Sequence, residues 1–280
     1  MSALTNPPDL DTTLKTLWGA SQMPFAAAVE NPYLSNTFQA TRRRLEQLVA
    51  LRASGLLHGP NGVGKTLLVQ HVLRSLPDKR YHPLVLSHSS VTGTDLLRLL
   101  CRELSQTARL RRSDNLLLIR QGWQQLDRLW PVLVLDEAQN LSATALEEVR
   151  LLTCERRDTQ PPFSLLLVGD EQLLPRLQMG INAPLLARLS FCLHLQSWTT
   201  SDLSAYVQAR LQDVGIHADP FEAPALALLL QAAQGLPRLL NHLAQRTIEQ
   251  ALAQNARTIT AAHVQQALEL LPWLAQLPAP

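Results

Sequence analysis

The strongest constraint on the fold of this chain is a glycine-rich segment between a short apolar run and an apolar helix. The segment Gly59–Thr66 reads Gly-Pro-Asn-Gly-Val-Gly-Lys-Thr and fits the pattern G-x-x-x-x-G-K-[ST]. The strand-like run Gly55–His58 precedes it, and apolar residues recur at helical spacing through Lys65–Leu76. The pattern needs this strand–loop–helix order to be more than a chance turn, so it predicts a phosphate-binding loop.

Each residue type in this loop has a physical role in phosphate binding. Glycines let the backbone curl so that N–H groups point at phosphate oxygens, and the following helix adds its positive end. We predict that Lys65 neutralises the outer phosphates of ATP and that the Thr66 hydroxyl is a ligand of Mg²⁺. The residues predicted to contact the nucleotide here are Gly59, Pro60, Asn61, Gly62, Val63, Gly64, Lys65, Thr66 and Leu67.

A second candidate site follows the run Val132–Leu135, whose Val and Leu content is typical of a strand buried on both faces. Asp136 and Glu137 come directly after it. Ligands of parallel sheets bind at the carboxyl ends of the strands. We therefore predict that Asp136 holds Mg²⁺ through the ion's water shell and that Glu137 polarises the attacking water as general base. If the two acids are considered alone, an ordinary acidic helix start after a strand would explain them equally well. In combination with the phosphate loop, they predict an Mg-ATP site.

The order of predicted elements changes near Trp198. Strands alternate with helices before this residue, which is typical of an α/β fold with a parallel sheet flanked by helices. Only helical patterns follow it, with Ser201 as a predicted N-cap. We therefore predict an irregular N-terminal arm over residues 1–36, a nucleotide-binding domain over 37–198 and an all-helical domain over 199–280.

Composition excludes several classes of protein. Hydrophobic residues make up 46% of the chain, so a disordered chain is excluded. The net charge of +2 does not by itself indicate a nucleic-acid partner. Most basic residues are arginine, which suits contacts to phosphates and carboxylates, although GC-rich coding would explain this equally well. The sequence shows no signal peptide, membrane span or cysteine pair, so we expect a reduced, cytoplasmic protein without a membrane anchor.

Further segments complete a family pattern. Leu165–Asp170 is another buried run that ends in an acid, Arg188 precedes the strand-like run Phe191–Leu195, and Gly235–Arg238 opens a helix. With the phosphate loop and the acidic pair, this layout resembles the AAA+ ATPases. The resemblance implies a P-loop AAA+ domain followed by a small helical lid domain.

The resemblance also implies roles for single residues. Asp170 stands at sensor 1, Arg238 at sensor 2, and Arg188 at the arginine finger. The finger would act on the ATP of a neighbouring subunit, which implies a homo-oligomer. A surface arginine near a helix end would explain Arg188 or Arg238 as well. Sensor 1 is usually an uncharged polar residue, so the acid at position 170 implies slow hydrolysis or another residue that senses the phosphate.

Within AAA+, residues 23–270 resemble the ExeA/TniB/TnsC group. TnsC, TniB, MuB and IstB proteins regulate DNA transposition. This resemblance implies ATP-dependent assembly, as a ring or filament, on duplex target DNA and recruitment or activation of a transposase; a target-selection protein is a further candidate partner. The segments that carry the resemblance are Met23–Phe25, Tyr33–Ser35, Asp136–Leu141, Leu167–Gly169 and Gly235–Arg238.

ExeA proteins are the alternative, because they carry such a domain on a membrane-anchored secretion factor and act on protein partners. The sequence shows neither a membrane span nor an additional domain, and we take this to favour the transposition branch.

For DNA contacts, the resemblance points to the region after the second strand. Such contacts would be to backbone phosphates, insensitive to sequence and sensitive to salt. A solvated helix end would explain the arginine cluster at the predicted loop Arg109–Asp114 equally well, and Arg156 with Arg157 is a rival patch. The candidates for DNA contact are Thr92, Thr94, Arg109, Arg111 and Arg112.

Overall fold

The computed structural model describes residues 10–25, 33–87, 91–154 and 161–271. The chain divides into two units, Asn36–Gln196 and the combination of Met1–Ser35 with Ser197–Pro280. The strands are β1 (Gly55–His58), β2 (Tyr81–Leu86), β3 (Trp130–Leu135), β4 (Ser164–Gly169) and β5 (Phe191–His194). The helices are α1 (Leu10–Trp18), α2 (Asn36–Ala50), α3 (Lys65–Ser75), α4 (Gly93–Glu103), α5 (Arg112–Gln125), α6 (Ala143–Cys154), α7 (Leu173–Gln178), α8 (Ala183–Leu186), α9 (Thr200–Asp213), α10 (Ala223–Ala232), α11 (Pro237–Ala253) and α12 (Ala261–Glu269).

The unit Asn36–Gln196 contains a five-stranded parallel sheet in the order β2-β3-β4-β1-β5. Every residue of β1, β3 and β4 is buried, which explains their almost continuous apolar sequences. Helices α4, α5 and α6 contribute Leu97, Ile119 and Val149 to one core with the strand residues Leu133 and Leu167. The predicted α/β fold is confirmed.

The boundary between α4 and α5 differs from the sequence prediction. Helix α4 ends at Glu103, six residues before the predicted loop, because Ser105 takes a left-handed conformation with φ 57°. The Gln106 N–H then donates to the Cys101 carbonyl over 2.8 Å and closes the helix end. Helix α5 begins at Arg112, so this residue lies in a first helical turn and not in the loop that the sequence predicted.

The second unit contains α1 and α9 to α12. Residues 1–36 were predicted to form a separate arm, but Leu14 of α1 and Phe25 are buried in one core with Tyr206 and Leu243. The Trp18 indole N–H also donates to the Arg257 carbonyl over 2.9 Å. Apolar side chains of this N-terminal segment therefore complete the core of the C-terminal helices.

The start of α9 corrects one prediction. The N-cap is Thr199, not Ser201: its hydroxyl accepts a hydrogen bond from the Asp202 N–H over 3.1 Å. The Thr199 N–H in turn donates to Asp202 Oδ2 over 3.4 Å, so the two residues form a capping box. Within the described ranges, no helix has the length and apolar content to cross a membrane.

Candidate nucleotide-binding site

The fold brings the predicted site residues to one edge of the sheet. Gly59, Asp136 and Asp170 each come directly after a strand, namely β1, β3 and β4. These strands are consecutive in the sheet, with Leu135 opposite Leu167 and His58 opposite Gly169. Because the strands are parallel, their carboxyl ends and the residues that follow them lie side by side.

Glycines shape the phosphate loop at three points. Gly62 and Gly64 have φ values of 89° and 106°, in the left-handed region that favours glycine. At Gly59, an added Cβ would lie 2.2 Å from the Leu195 carbonyl oxygen, so β1 can approach the end of β5 this closely only with glycine there. Helix α3 begins at Lys65 directly after Gly64, and its N-terminus closes the loop.

Lys65 lies inside this loop. Its side chain is 8% exposed, and Nζ donates to the carbonyl oxygens of Gly59 over 2.8 Å and Pro60 over 2.9 Å. Burial lowers the pKa of Lys65 below its usual value, while four carboxylates of the same sheet edge act in the opposite direction. The ammonium group is thus held by neutral acceptors, which a phosphate oxygen can replace.

The two residues predicted to hold Mg²⁺ are in direct contact. The Thr66 hydroxyl donates to Asp136 Oδ2 over 2.8 Å, and Asp136 is 8% exposed. The other carboxylate oxygen, Oδ1, accepts from the Glu137 N–H over 2.9 Å. Neighbouring oxygens in an octahedral Mg²⁺ shell are about 2.9 Å apart, and Mg²⁺ takes few carboxylates together with water and phosphate oxygens. The pair therefore fits this ion.

Gln139, for which the sequence pattern predicted no role, connects the acidic residues that follow β3 and β4. Glu137 has a left-handed backbone with φ 53°, and its side chain is exposed. The Gln139 amide nitrogen donates to Glu137 Oε2 over 2.6 Å, while Gln139 Oε1 accepts from the Asp170 N–H over 3.2 Å. The only sequence signal for this role is the position of Gln139 two residues after Glu137.

Arg176 holds the turn that carries Glu137 and Gln139. This residue of α7 donates to the carbonyl oxygens of Gln139 and Leu141. Its own carbonyl accepts from the Asn182 side chain over 2.9 Å. The turn after β3 is therefore fixed to the helix that follows β4, a contact between segments far apart in sequence.

Asp170 is half-buried and its carboxylate is used within its own turn. Oδ1 accepts from the Gln172 N–H over 2.9 Å, which stabilises the turn between β4 and α7. The contribution of Asp170 to the pKa of Lys65 places the acid in the electrostatic surroundings of the loop lysine. Its role at sensor 1 stays a prediction.

Arg188 and Arg238 lie in different units. Arg188 follows α8, is exposed, and donates to the Pro184 carbonyl over 2.9 Å and to Cys154 Sγ over 3.1 Å. In the described part of the chain, no carboxylate pairs with it. Arg238 is exposed in the first turn of α11, directly after Pro237. Both assigned roles stay predictions.

The residues predicted to contact DNA divide into two groups. Arg109 and Arg111 are exposed, and no carboxylate of the described residues pairs with either guanidinium. Arg112 instead binds both oxygens of the buried Glu148, over 2.5 and 2.8 Å. Thr94 lies half-buried in the first turn of α4. The structure therefore leaves two of the three arginines without a competing anion.

A shallow depression adds two arginines to this group. Its volume is about 620 Å³, and Arg98 and Arg102 of α4 line it together with Arg109 and Arg111. Asp114 is the acidic residue in the lining, and Asp95 pairs with Arg98 over 3.2 Å. This arginine face, defined by residues 98, 102, 109 and 111, is more basic than acidic and can accommodate phosphate groups.

The fold, a five-stranded parallel sheet flanked by helices, matches the AAA+ P-loop fold. Residues 49–177 match the family described as "AAA domain". Over 249 residues, the chain is 28% identical to General secretion pathway protein A of Aeromonas hydrophila, a match that covers 86% of this chain and 45% of that protein. The chain thus spans less than half the length of this relative.

Solved structures share the fold at low sequence identity. Cdc6p from Pyrobaculum aerophilum has a TM-score of 0.73 at 17% identity, with 91% of this chain and 74% of that chain covered. The ORC1 protein of Aeropyrum pernix, solved in complex with DNA, has a TM-score of 0.69 at 17% identity, with 89% and 68% covered. RuvB, a Holliday junction branch migration motor of Thermotoga maritima, gives 0.53 at 20% identity, with 83% and 69% covered.

Proposed function

We propose that this chain hydrolyses ATP in the presence of Mg²⁺ and that its nucleotide state controls assembly on duplex DNA. One observation carries the catalytic part: the contact of Thr66 with Asp136 at 2.8 Å, beside a buried lysine whose ammonium group donates to two backbone carbonyls. A hydroxyl, a carboxylate and a cation are thus grouped as phosphoryl transfer from Mg-ATP requires.

The chain's own residues would act by position and charge. Lys65 would exchange its two carbonyl partners for phosphate oxygens, and Thr66 with Asp136 would hold Mg²⁺, which neutralises charge on the transferred phosphate. Glu137 would accept the proton of the attacking water, and Gln139 would hold its carboxylate in place over the 2.6 Å hydrogen bond. Arg188 of a neighbouring subunit would add a cation, so turnover would be slow in an isolated chain.

We infer that the arginine face binds the phosphate backbone of duplex DNA and that the chain regulates DNA transposition. Four arginines around one depression support the first part. The ORC1 structure, which was solved in complex with DNA, agrees with it, although at 17% identity only the fold is shared. The resemblance to TnsC, TniB, MuB and IstB supports the second part, with a transposase as the partner.

Assembly on DNA is the experiment that tests this proposal. The protein is mixed with a random-sequence duplex in the presence of no nucleotide, ADP or a non-hydrolysable ATP analogue, and assemblies are observed by sedimentation and electron microscopy. We expect rings or filaments with DNA and the analogue. Absence of DNA-dependent assembly in every nucleotide state would rule the proposal out.

Two charge-reversal variants make this experiment specific to the arginine face. Arg109→Glu/Arg111→Glu reverses the charge at two cations of this face with which no carboxylate of the described residues pairs, and it should abolish assembly on DNA. The control is Arg128→Glu, whose wild-type side chain is 94% exposed. Arg128 lies beyond the C-terminus of α5, and this helix separates it from Arg111 by about 21 Å. Assembly should survive in the control. Equal loss in both variants would argue against this face.

Assembly of a secretion machine through protein partners is the second candidate function. The observation that favours it is the 28% identity to General secretion pathway protein A over 86% of this chain. This function predicts ATP turnover that neither DNA nor the Arg109→Glu/Arg111→Glu change affects. A turnover assay with and without duplex DNA therefore separates the two candidates.

A further inference from the structure

A cluster of two histidines and one glutamate lies at the same sheet edge but outside the proposed Mg-ATP residues. His58 is the last residue of β1 and His194 the last residue of β5, and the two are paired in register. Glu171 lies in the turn that follows β4. Because β1 lies between β4 and β5, three segments that are distant in sequence supply one side chain each to the same place.

The donor atoms of this cluster are close enough for a single metal ion. His58 Nδ1 lies 3.3 Å from Glu171 Oε2, and His194 Nε2 lies 2.8 Å from Oε1. One ligand atom from each residue lies within 4.8 Å of the others. Tetrahedral Zn²⁺ with bonds of about 2.0–2.1 Å separates its ligand atoms by about 3.3 Å. The two distances to Glu171, 3.3 and 2.8 Å, lie at and below this value.

Burial differs between the two sides of the cluster. The His58 side chain is 9% exposed, whereas those of His194 and Glu171 are 43% and 50% exposed. The imidazole rings stack with centroids 4.7 Å apart and planes 14° apart. The half-exposed His194 has room to turn its ring toward a shared ion, and the open side leaves a position for water.

The protonation states of the cluster suit a cation. Burial lowers the pKa of His58 below its usual value, so the neutral imidazole is favoured. Burial would raise the pKa of Glu171, but hydrogen bonds and charge from His194 and His58 hold this pKa below its usual value. Metal ligands must be a neutral imidazole and an ionised carboxylate.

We propose that His58, Glu171 and His194 form a binding site for Zn²⁺, distinct from the Mg²⁺ site. The donor set of two imidazoles and one carboxylate is borderline in softness and suits Zn²⁺, whereas Mg²⁺ prefers oxygen ligands alone. Three protein ligands leave a fourth position for water. The ion would link His58, directly before Gly59, to Glu171, directly after Asp170. It would thus connect the phosphate loop to the end of β4.

The test uses full-length, untagged protein that has been treated with a chelator. Zn²⁺ binding is measured by calorimetry, and Co²⁺ serves as a probe whose visible absorption reports its coordination. We expect one ion per chain, undisturbed by millimolar Mg²⁺, and a higher melting temperature of the wild type with Zn²⁺. A wild type without such binding would overturn the proposal.

Variants assign the ion to this cluster. His194→Ala and Glu171→Gln change exposed side chains, so the fold should persist, and each should weaken Zn²⁺ binding on the order of a hundredfold. His217→Ala, at an exposed histidine of the other unit, should leave binding unchanged. Cys192→Ser should do the same, since it removes only an exposed thiol two residues before His194. Unaltered affinity in both cluster variants, or equal loss in a control, would overturn the assignment.

Discussion

At the scale of single residues, Gln139 connects the acidic residues Glu137 and Asp170 of the proposed site. Its amide nitrogen binds the Glu137 carboxylate and its amide oxygen binds the Asp170 N–H, so one side chain spans the ends of β3 and β4. The glutamate itself is exposed and would otherwise sample several rotamers. We therefore interpret Gln139 as a positioning residue for the proposed general base.

Replacing Gln139 should reduce turnover without preventing nucleotide binding. In Gln139→Ala, we expect the rate of ATP hydrolysis to fall about tenfold, since the base is present but less well placed. The affinity for a fluorescent ATP analogue should change little. The control is Asn140→Ala, which alters the exposed neighbouring residue and should retain the wild-type rate. A wild-type rate in Gln139→Ala would contradict this role.

At the scale of elements, the ion pair of Arg112 with Glu148 joins the first turn of α5 to α6. Both carboxylate oxygens accept from the guanidinium, over 2.5 and 2.8 Å, and Glu148 is only 10% exposed on its side chain. The hydrogen bond and the charge of Glu148 raise the pKa of Arg112. Arg112 therefore stabilises the packing of α5 against α6, whereas no carboxylate of the described residues pairs with the neighbouring Arg111.

Two neighbouring alanine variants test this difference. Arg112→Ala should lower the free energy of unfolding by about 1–3 kcal/mol, because it leaves a buried carboxylate unpaired; the partial exposure of Arg112 keeps the cost below that of a fully buried pair. Arg111→Ala should stay within about 0.5 kcal/mol of the wild type. Urea denaturation measures both values. Equal values would show that the pair does not stabilise the α5–α6 packing.

The sequence predicted those elements and contacts that depend on local pattern. Gly59–Thr66, Asp136 and Glu137 follow apolar strands directly, so their place at the sheet edge follows from the chain order. The roles of Gln139, Arg176 and Glu171 depend on which strands become neighbours, and the sheet order β2-β3-β4-β1-β5 differs from the chain order. The start of α5 at Arg112 carries no cap signal, because the N-cap residue is Arg111 and its side chain makes no capping hydrogen bond.

At the scale of the whole molecule, we propose that the active site needs a second copy of the chain. Arg188 is exposed and is held only by the Pro184 carbonyl and Cys154 Sγ among the described residues. An exposed guanidinium between α8 and the start of β5 is accessible to a neighbouring subunit. Assembly and hydrolysis would then depend on each other.

Mixed oligomers test this dependence. Arg188→Ala and Glu137→Gln should each be nearly inactive alone, because one lacks the finger and the other lacks the base. Mixing the two should restore part of the ATP turnover, since some interfaces then combine an intact base with an intact finger from the other variant. Turnover that does not recover on mixing, or an Arg188→Ala protein that is fully active alone, would contradict action between subunits.

The central claim is that Lys65, Thr66, Asp136 and Glu137 form an Mg²⁺-dependent ATPase site. The most direct measurement is phosphate release from ATP by the wild type and by Glu137→Gln, with Mg²⁺ and with a chelator, at high protein concentration and with duplex DNA present. We predict turnover only in the wild type with Mg²⁺, and a loss of about a hundredfold or more in Glu137→Gln with nucleotide still bound. Equal turnover in both proteins, or turnover that chelation leaves unchanged, would contradict the account.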